Sequence, residues 1–386
     1  MLKVAIVGCG KIADSHAQQI QRIPGCSIVA ACDREELMAK QFCQRFHINR
    51  HFDDLAAMLK ERRPDVVHVT TPAESHHEAA KACLLHGAHV YVEKPFTLNS
   101  AQAEELILLA DRTGLKLTVG HDDQFRHAAR RMRQMVRGGY LGGPPVHLES
   151  YYCYELGESS AYARALLADK GHWVRRLPGQ LLHNIISHGI ARIVEFLVTE
   201  DPQVLAHGFV SQALKRMGEN DIVDELRVII SEKDGLTAYF TFSSQMRPSL
   251  HQFRLFGPKN GLILDQDNET LIKLRGKRFK SYVEAFVPPV IFAREYLGNL
   301  ATNLRLFASN DFHPKSGMKY LIESFYQSIT QDTPLPITNR EILLTTRIME
   351  DIFGQLYPKP IEAARQCDEA GGISLAMEDN LVRLRS

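Results

Sequence analysis

The chain lacks a charge excess. Its 46 lysines and arginines face 45 aspartates and glutamates, for a formal net charge of +1. That balance speaks against a nucleic-acid footprint and against a polyanionic tail. The densest basic run, residues 126–137, holds Arg130, Arg131 and Arg133 between its ends. On a helix those residues spread around the cylinder and read as a solvated face. No apolar run reaches the length needed to span a bilayer. Met1-Leu2-Lys3 leads directly into a strand, which leaves no room for a secretion signal. Internal repeats and low-complexity segments are missing. Cysteines are few and scattered: Cys9, Cys26, Cys32, Cys43, Cys83, Cys153 and Cys367. An odd count at irregular spacing excludes a disulfide framework and zinc-type ligand sets, and is the usage of a reduced compartment. The expectation is a cytoplasmic protein with no metal, no nucleic-acid partner and no membrane attachment.

At 386 residues, the chain is too long for one core and suits two domains. The first can be read in order. Residues 3–7 form an apolar strand that runs into Gly8-Cys9-Gly10-Lys11-Ile12-Ala13, followed by a helix to about residue 22. This is the G-x-G-x-x-G/A fingerprint between a strand and a helix. Gly8 serves the tight turn, Gly10 lets backbone approach a pyrophosphate, and Ala13 lets helix pack on strand. Free N–H groups at the helix start, at Lys11 and Ile12, face the phosphates. A second strand ends in Asp33, about 20 positions past Ala13, where a ribose-binding carboxylate belongs. Asp33 would repel a 2′-phosphate and so favours NAD, while Arg34 beside it leaves NADP open.

Strand–helix alternation continues to residue 120, which predicts a parallel, doubly wound Rossmann sheet. The predicted strand ends carry Gly8, Asp33, Thr70-Thr71-Pro72, Glu93-Lys94-Pro95 and Gly120-His121. Such ends line one crevice, and ligands bind there. Lys94, at the end of the buried strand 89–92, stands where a ligand is expected, with Pro95 stiffening its turn.

Taken together, Gly8 to Ala13, Thr71-Pro72 with His76, Glu93-Lys94-Pro95 and Gly120-His121 resemble the Gfo/Idh/MocA family, the glucose–fructose oxidoreductase and inositol dehydrogenase group. The resemblance covers the whole first domain. It implies a catalytic lysine at Lys94 and a cofactor segment at Thr70, Thr71 and Pro72. Cys9, His76 and Glu93 join the expected cofactor set, and His121 the substrate set. Where relatives read His-Asn-x-Arg-Phe, this chain has His121-Asp122-Asp123-Gln124-Phe125, so the added carboxylates change what lies there.

The second domain is expected over residues 123–386, after a dinucleotide-binding domain over 1–122. A helix is predicted over 123–137, then strands at 146–154, 203–211, 225–231, 236–243, 252–257 and 261–266. Turns at Asp234-Gly235 and Lys259-Asn260-Gly261 make hairpins, and the sum is an α+β domain with an open, mainly antiparallel sheet. Residues 271–315 fit this plan poorly and leave a lid, an oligomer contact or a partner surface open. From residue 181 the apolar spacing turns helical, and Asn184 and His188, four apart, share one face. The resemblance makes His188 the acid/base. It also marks two departures: Asn184 stands where relatives often have Asp, so no charge backs the imidazole from there, and Gln180 replaces a glycine. Trp173 and Arg175 precede this turn at positions where relatives contact substrate. Helices over 316–331 and 339–356 close the chain.

The expected function is hydride transfer between NAD (or NADP) and a secondary alcohol of a sugar, nucleotide-sugar or cyclitol, with Lys94, His188 and Asn184 as the catalytic group. A small carbohydrate-like substrate and a homodimer or homotetramer are the expected partners. A non-catalytic nucleotide-binding regulator and a redox-recycling glycosidase or epimerase with tightly held NAD stay open as alternatives.

Overall fold

The computed structural model describes residues 1–154, 166–233, 235–276, 279–280 and 282–358. Asp234 and Cys367 lie outside them. Two sheets organise the chain, and each forms where its sequence pattern demands. The first is built from near-continuous apolar strands, the mark of a sheet covered on both faces. It holds β1 (Leu2–Val7), β2 (Cys26–Cys32), β3 (His51–Phe52), β4 (Val66–Val69), β5 (His89–Val92) and β6 (Leu117–Val119). Their order is β3-β2-β1-β4-β5-β6, and all the pairings are parallel. Between the strands run α1 (Lys11–Ile20), α2 (Glu36–Phe46), α3 (Leu55–Arg62), α4 (His76–Leu85) and α5 (Ser100–Thr113). The strand order reverses between β1 and β4. There the chain leaves both strand ends on opposite sides of the sheet and opens a crevice.

The second sheet shows alternation instead. After α6 (His127–Arg137), β7 (His147–Cys153) buries Leu148, Ser150 and Tyr152 and turns Glu149 and Tyr151 outward. It is followed by the short α7 (Gln180–Ile185) and α8 (Ser187–Val194), β8 (Gln203–Phe209), α9 (Gln212–Arg216), β9 (Glu225–Ser231), β10 (Thr237–Ser243), β11 (Leu250–Phe256), β12 (Asn260–Asp265) and β13 (Thr270–Arg275). The order is β13-β12-β11-β7-β10-β9-β8. Only the β7–β10 pair is parallel. Among the described residues three helices follow: α10 (Val283–Ala308), α11 (Ser316–Gln331) and α12 (Asn339–Leu356).

Several expectations shift. The helix expected from residue 123 begins at His127, because Asp122–Phe125 forms a 3₁₀ turn. The helix expected from 181 is two pieces, joined at Ile186. Residues 271–315 resolve into β13 and the long α10. β13 escaped notice because Thr270, Lys273 and Arg275 break up its short apolar run. The division at 122/123 remains our proposal for the sequence, but α11 crosses back: Met318, Leu321, Ile322 and Phe325 sit in the core of the first sheet. α12 ties the halves together, with Ile342 in that core and Ile348, Met349, Ile352 and Phe353 in the second. Among the described residues, no helix is long and apolar enough to cross a membrane, and no group of His, Cys, Asp and Glu is arranged to hold a metal ion.

Candidate functional site

The crevice begins at the first turn. Gly8 has φ +88, and a Cβ there would lie 2.7 Å from the Thr71 backbone nitrogen. Only glycine lets the β1 turn pass this close under the loop after β4. Thr70 locks the approach, its hydroxyl donating to Gly8 O at 2.6 Å. Gly10 is different: nothing lies within 4 Å of its would-be Cβ. It starts α1 without a side-chain cap, so Lys11 and Ile12 open a helix end onto free space. At the tip of β2, one Asp33 oxygen accepts from Cys9 N at 2.7 Å and the other from Glu35 N at 3.0 Å. Those bonds fix the carboxylate and leave it lone pairs for further donors. Arg34 beside it is exposed. A roomy turn, a bare helix N-terminus and an oriented carboxylate fit a dinucleotide: phosphates at Gly10 and α1, ribose at Asp33.

Two expected cofactor contacts have other partners. The Glu93 carboxylate, expected toward the cofactor, instead pairs with His16 Nε2 at 2.8 Å. From there a buried chain runs through His16 Nδ1 to His68 Nδ1 at 2.8 Å, and from His68 Nε2 to the Tyr326 hydroxyl at 2.8 Å. Burial pushes the Glu93 carboxyl up, but His16 outweighs it and holds it down to about 2. The ring nitrogens of His76 face Pro95 O and Thr71 O, each at 2.8 Å. His76 thus ties the Thr70–Pro72 loop to the Lys94–Pro95 loop.

Glu93 anchors the strand end, and Lys94 reaches out from it. Its Nζ donates to Asn184 O at 2.9 Å. The last carbonyls of a helix have no partner within it, and α7 ends at Ile185. The break at Ile186 therefore gives the lysine its acceptor. Lys94 thus meets Asn184 at its backbone oxygen, whereas the correspondence with an aspartate pointed to the side chain. Burial pushes the Lys94 ammonium down, against the charges of Glu93 and Asp122.

His188, at the start of α8, is buried beside His121 and Tyr152, with ring centroids 5.8 Å away in both cases. Its Nδ1 makes no hydrogen bond but lies 4.0 Å from Asp123 Oδ2. Asp123 is oriented by Tyr152, whose hydroxyl donates to it at 2.7 Å, and Tyr154 donates to Tyr152 in turn at 3.1 Å. The charge missing at Asn184 is thus supplied by Asp123, from another loop. Burial pushes His188 down to about 4, with Asp123 working against it. His121 falls to about 3 through burial and His188, and both of its ring nitrogens are buried without a partner. The adjacent carboxylates split: burial and Asp123 push Asp122 up, whereas His188 and Tyr152 hold Asp123 down against burial.

Trp173 packs half-buried against the second core. Arg175, expected toward substrate, is committed elsewhere: its guanidinium donates to Leu166 O at 2.9 Å and to Glu219 at 2.7 Å. Tyr152 and Tyr154 were missed, although their i, i+2 spacing, Tyr152 on β7 and Tyr154 just past its end, turns both to one side.

Fold and crevice define a dinucleotide-binding protein in which α7 and α8, packed on the second sheet, bring Asn184 and His188 to the strand ends of the first. Residues 2–121 match the family model described as an oxidoreductase family with an NAD-binding Rossmann fold, Gfo/Idh/MocA. That match covers the first sheet and the helices between its strands. The chain is 31% identical to a D-apiose dehydrogenase of Paraburkholderia graminis over 142 residues, 37% of this chain and 38% of that protein. That match spans well under half of the relative. A myo-inositol 2-dehydrogenase of Thermotoga maritima is 22% identical over 322 residues, 82% of this chain and 91% of its own. Among solved structures, a Bordetella pertussis dehydrogenase in complex with NADH and UDP-GlcNAcA superposes with a TM-score of 0.72 at 14% identity, covering 91% of this chain and 94% of that one. At that identity the likeness shows the fold.

Proposed function

We propose that the chain is an NAD-dependent dehydrogenase acting on a secondary alcohol of a sugar, nucleotide-sugar or cyclitol. The observation that carries the reading is the meeting of the Lys94 ammonium with the His188–Asp123 pair at the strand ends beside the dinucleotide turn. The relatives named above, which act on apiose and inositol, support the substrate class. Asp33 supports NAD over NADP by charge.

A bound nicotinamide would supply the hydride acceptor. The chain's own residues handle the alcohol. His188 is unprotonated at neutral pH because burial holds it at about 4. With Nδ1 turned to Asp123, Nε2 is the atom left to take the hydroxyl proton. The imidazolium that forms is then stabilised by Asp123, itself held by Tyr152. Lys94 donates to the same substrate oxygen and stabilises the alkoxide charge that develops.

The test is a panel of sugars, nucleotide-sugars and cyclitols with NAD, followed by the absorbance of the reduced cofactor. His188→Ala is expected to lower turnover by about 10²–10⁴-fold with cofactor binding intact. Undiminished turnover in that variant sinks the assignment. Tight cofactor binding with no absorbance change under any alcohol favours the regulator.

A further inference from the structure

The helix α10 (Val283–Ala308) is inside out. Polar side chains hold it to its own domain. Asn299, buried, accepts from Leu271 N at 3.0 Å and donates to Leu271 O at 3.0 Å. Glu295 accepts from Lys273 N at 2.6 Å, and Asn303 donates to Asn268 O at 3.1 Å. The apolar residues face away. Phe286, Val290, Leu297, Leu300, Leu304 and Phe307 are between 54% and 72% exposed. With Ala293, also exposed, they recur at alternating steps of four and three. That is a heptad seam with a and d filled, the pattern of helices that pack side by side. Pro288 and Pro289 fall off the seam.

We propose that this seam pairs with the same helix of a second copy, in antiparallel orientation about a two-fold axis near Glu295. The register follows from matching a with d across the axis. Phe286 then faces Leu304 of the second copy, Val290 faces Leu300, and Ala293 faces Leu297, so the smallest residue opposes a large one. Charge sets the orientation. A parallel pair would set Glu284 against Glu284 and Arg305 against Arg305, while an antiparallel pair brings Glu284 of one copy toward Arg305 of the other, across the helix length. That length is about 39 Å for 26 residues at about 1.5 Å each. Two helices this long and about 10 Å across hide several hundred Å² per copy, on the order of the roughly 800 Å² per partner of a stable interface. The helix itself carries Glu284 and Glu295 against Arg294 and Arg305, a neutral balance unlike the Lys- and Arg-rich polar face of a helix lying on anionic lipid. An isologous contact of this kind closes on itself.

The experiment is mass determination of the full chain by sedimentation equilibrium, with Leu297→Glu/Leu300→Glu beside wild type. Both positions are exposed, so the circular dichroism spectrum should not change. The expected result is a mass that falls by half, from dimer to monomer or from tetramer to dimer. An unchanged mass overturns the proposal. Loss of flotation with phosphatidylserine vesicles at unchanged mass overturns it in favour of a lipid surface. As a second measurement, Ala293→Cys/Leu297→Cys should cross-link between copies with a short bis-maleimide, above the wild-type background. Equal cross-linking by Ala293→Cys alone overturns the antiparallel register.

Discussion

Two carboxylate–histidine pairs sit within reach of Lys94, and they are built in opposite ways. Glu93 and His16 lie within the first sheet and its helices, at 2.8 Å, both buried, at the head of a chain that ends on Tyr326. Asp123 and His188 lie where the second domain meets the strand ends, 4.0 Å apart, with His188 Nδ1 making no hydrogen bond. The first pair is satisfied and holds a strand end in place. The second leaves the imidazole able to take up a proton and the carboxylate able to answer the charge. The same residue types serve as scaffold where every atom is partnered and as reactive groups where one is not.

Breaking the scaffold pair should have the largest effect on stability. Glu93→Ala leaves the buried histidines without their acceptor, and removing one member of a buried pair costs about 3–5 kcal/mol. Urea denaturation of the variant measures it. Because Glu93 is held down to about 2 from an ordinary 4.5, its contribution is present above pH 4.5 and lost as pH falls through about 2. A loss under 1 kcal/mol would show the pair to be incidental.

Lys94→Met separates positioning from scaffold. One donor aimed at a developing oxyanion is worth about 10²–10³-fold in turnover. That drop is expected with cofactor affinity nearly unchanged, read by saturating kinetics alongside equilibrium binding. A loss of cofactor affinity as large as the loss of turnover would place Lys94 among the scaffold residues instead.

Asp123→Asn probes the looser pair. The charge that raises His188 disappears, so its value drops further below the ordinary 6.5. The acid limb of the pH–rate profile should move to lower pH. Turnover should fall about tenfold for each unit lost, one unit being about 1.4 kcal/mol. Asp123→Glu should restore part of the rate. A uniform loss with an unmoved acid limb would mean that Asp123 only packs.

This contrast also marks what the sequence could tell. Gly8 to Ala13, Asp33 and Lys94 were legible because each acts at a strand end fixed by local pattern. The second pair was not. Asp123 and His188 are brought together by the docking of β7, α8 and the 3₁₀ turn, a long-range event that no spacing encodes. The pattern points to the Asn184 side chain, yet its backbone oxygen is what Lys94 Nζ meets, available because the helix breaks at Ile186. The long helix α10 was unreadable for a related reason. Its polar residues face the protein, and the usual rule of apolar-inside inverts.

The smallest expected effect comes from Asp122, which shares its loop with Asp123 but behaves oppositely. Burial and the Asp123 charge push it up to about 7 from an ordinary 3.8. A carboxyl raised by folding is favoured while protonated, so its contribution is present below pH 3.8 and lost as pH rises through about 7. Asp122→Asn removes that loss while keeping the side chain's size. The melting temperature of the variant relative to wild type should therefore rise between about pH 5 and about pH 8. A difference that stays flat across this range would mean that Asp122 is ionised in the folded protein, and that the two carboxylates of this loop carry their charges together.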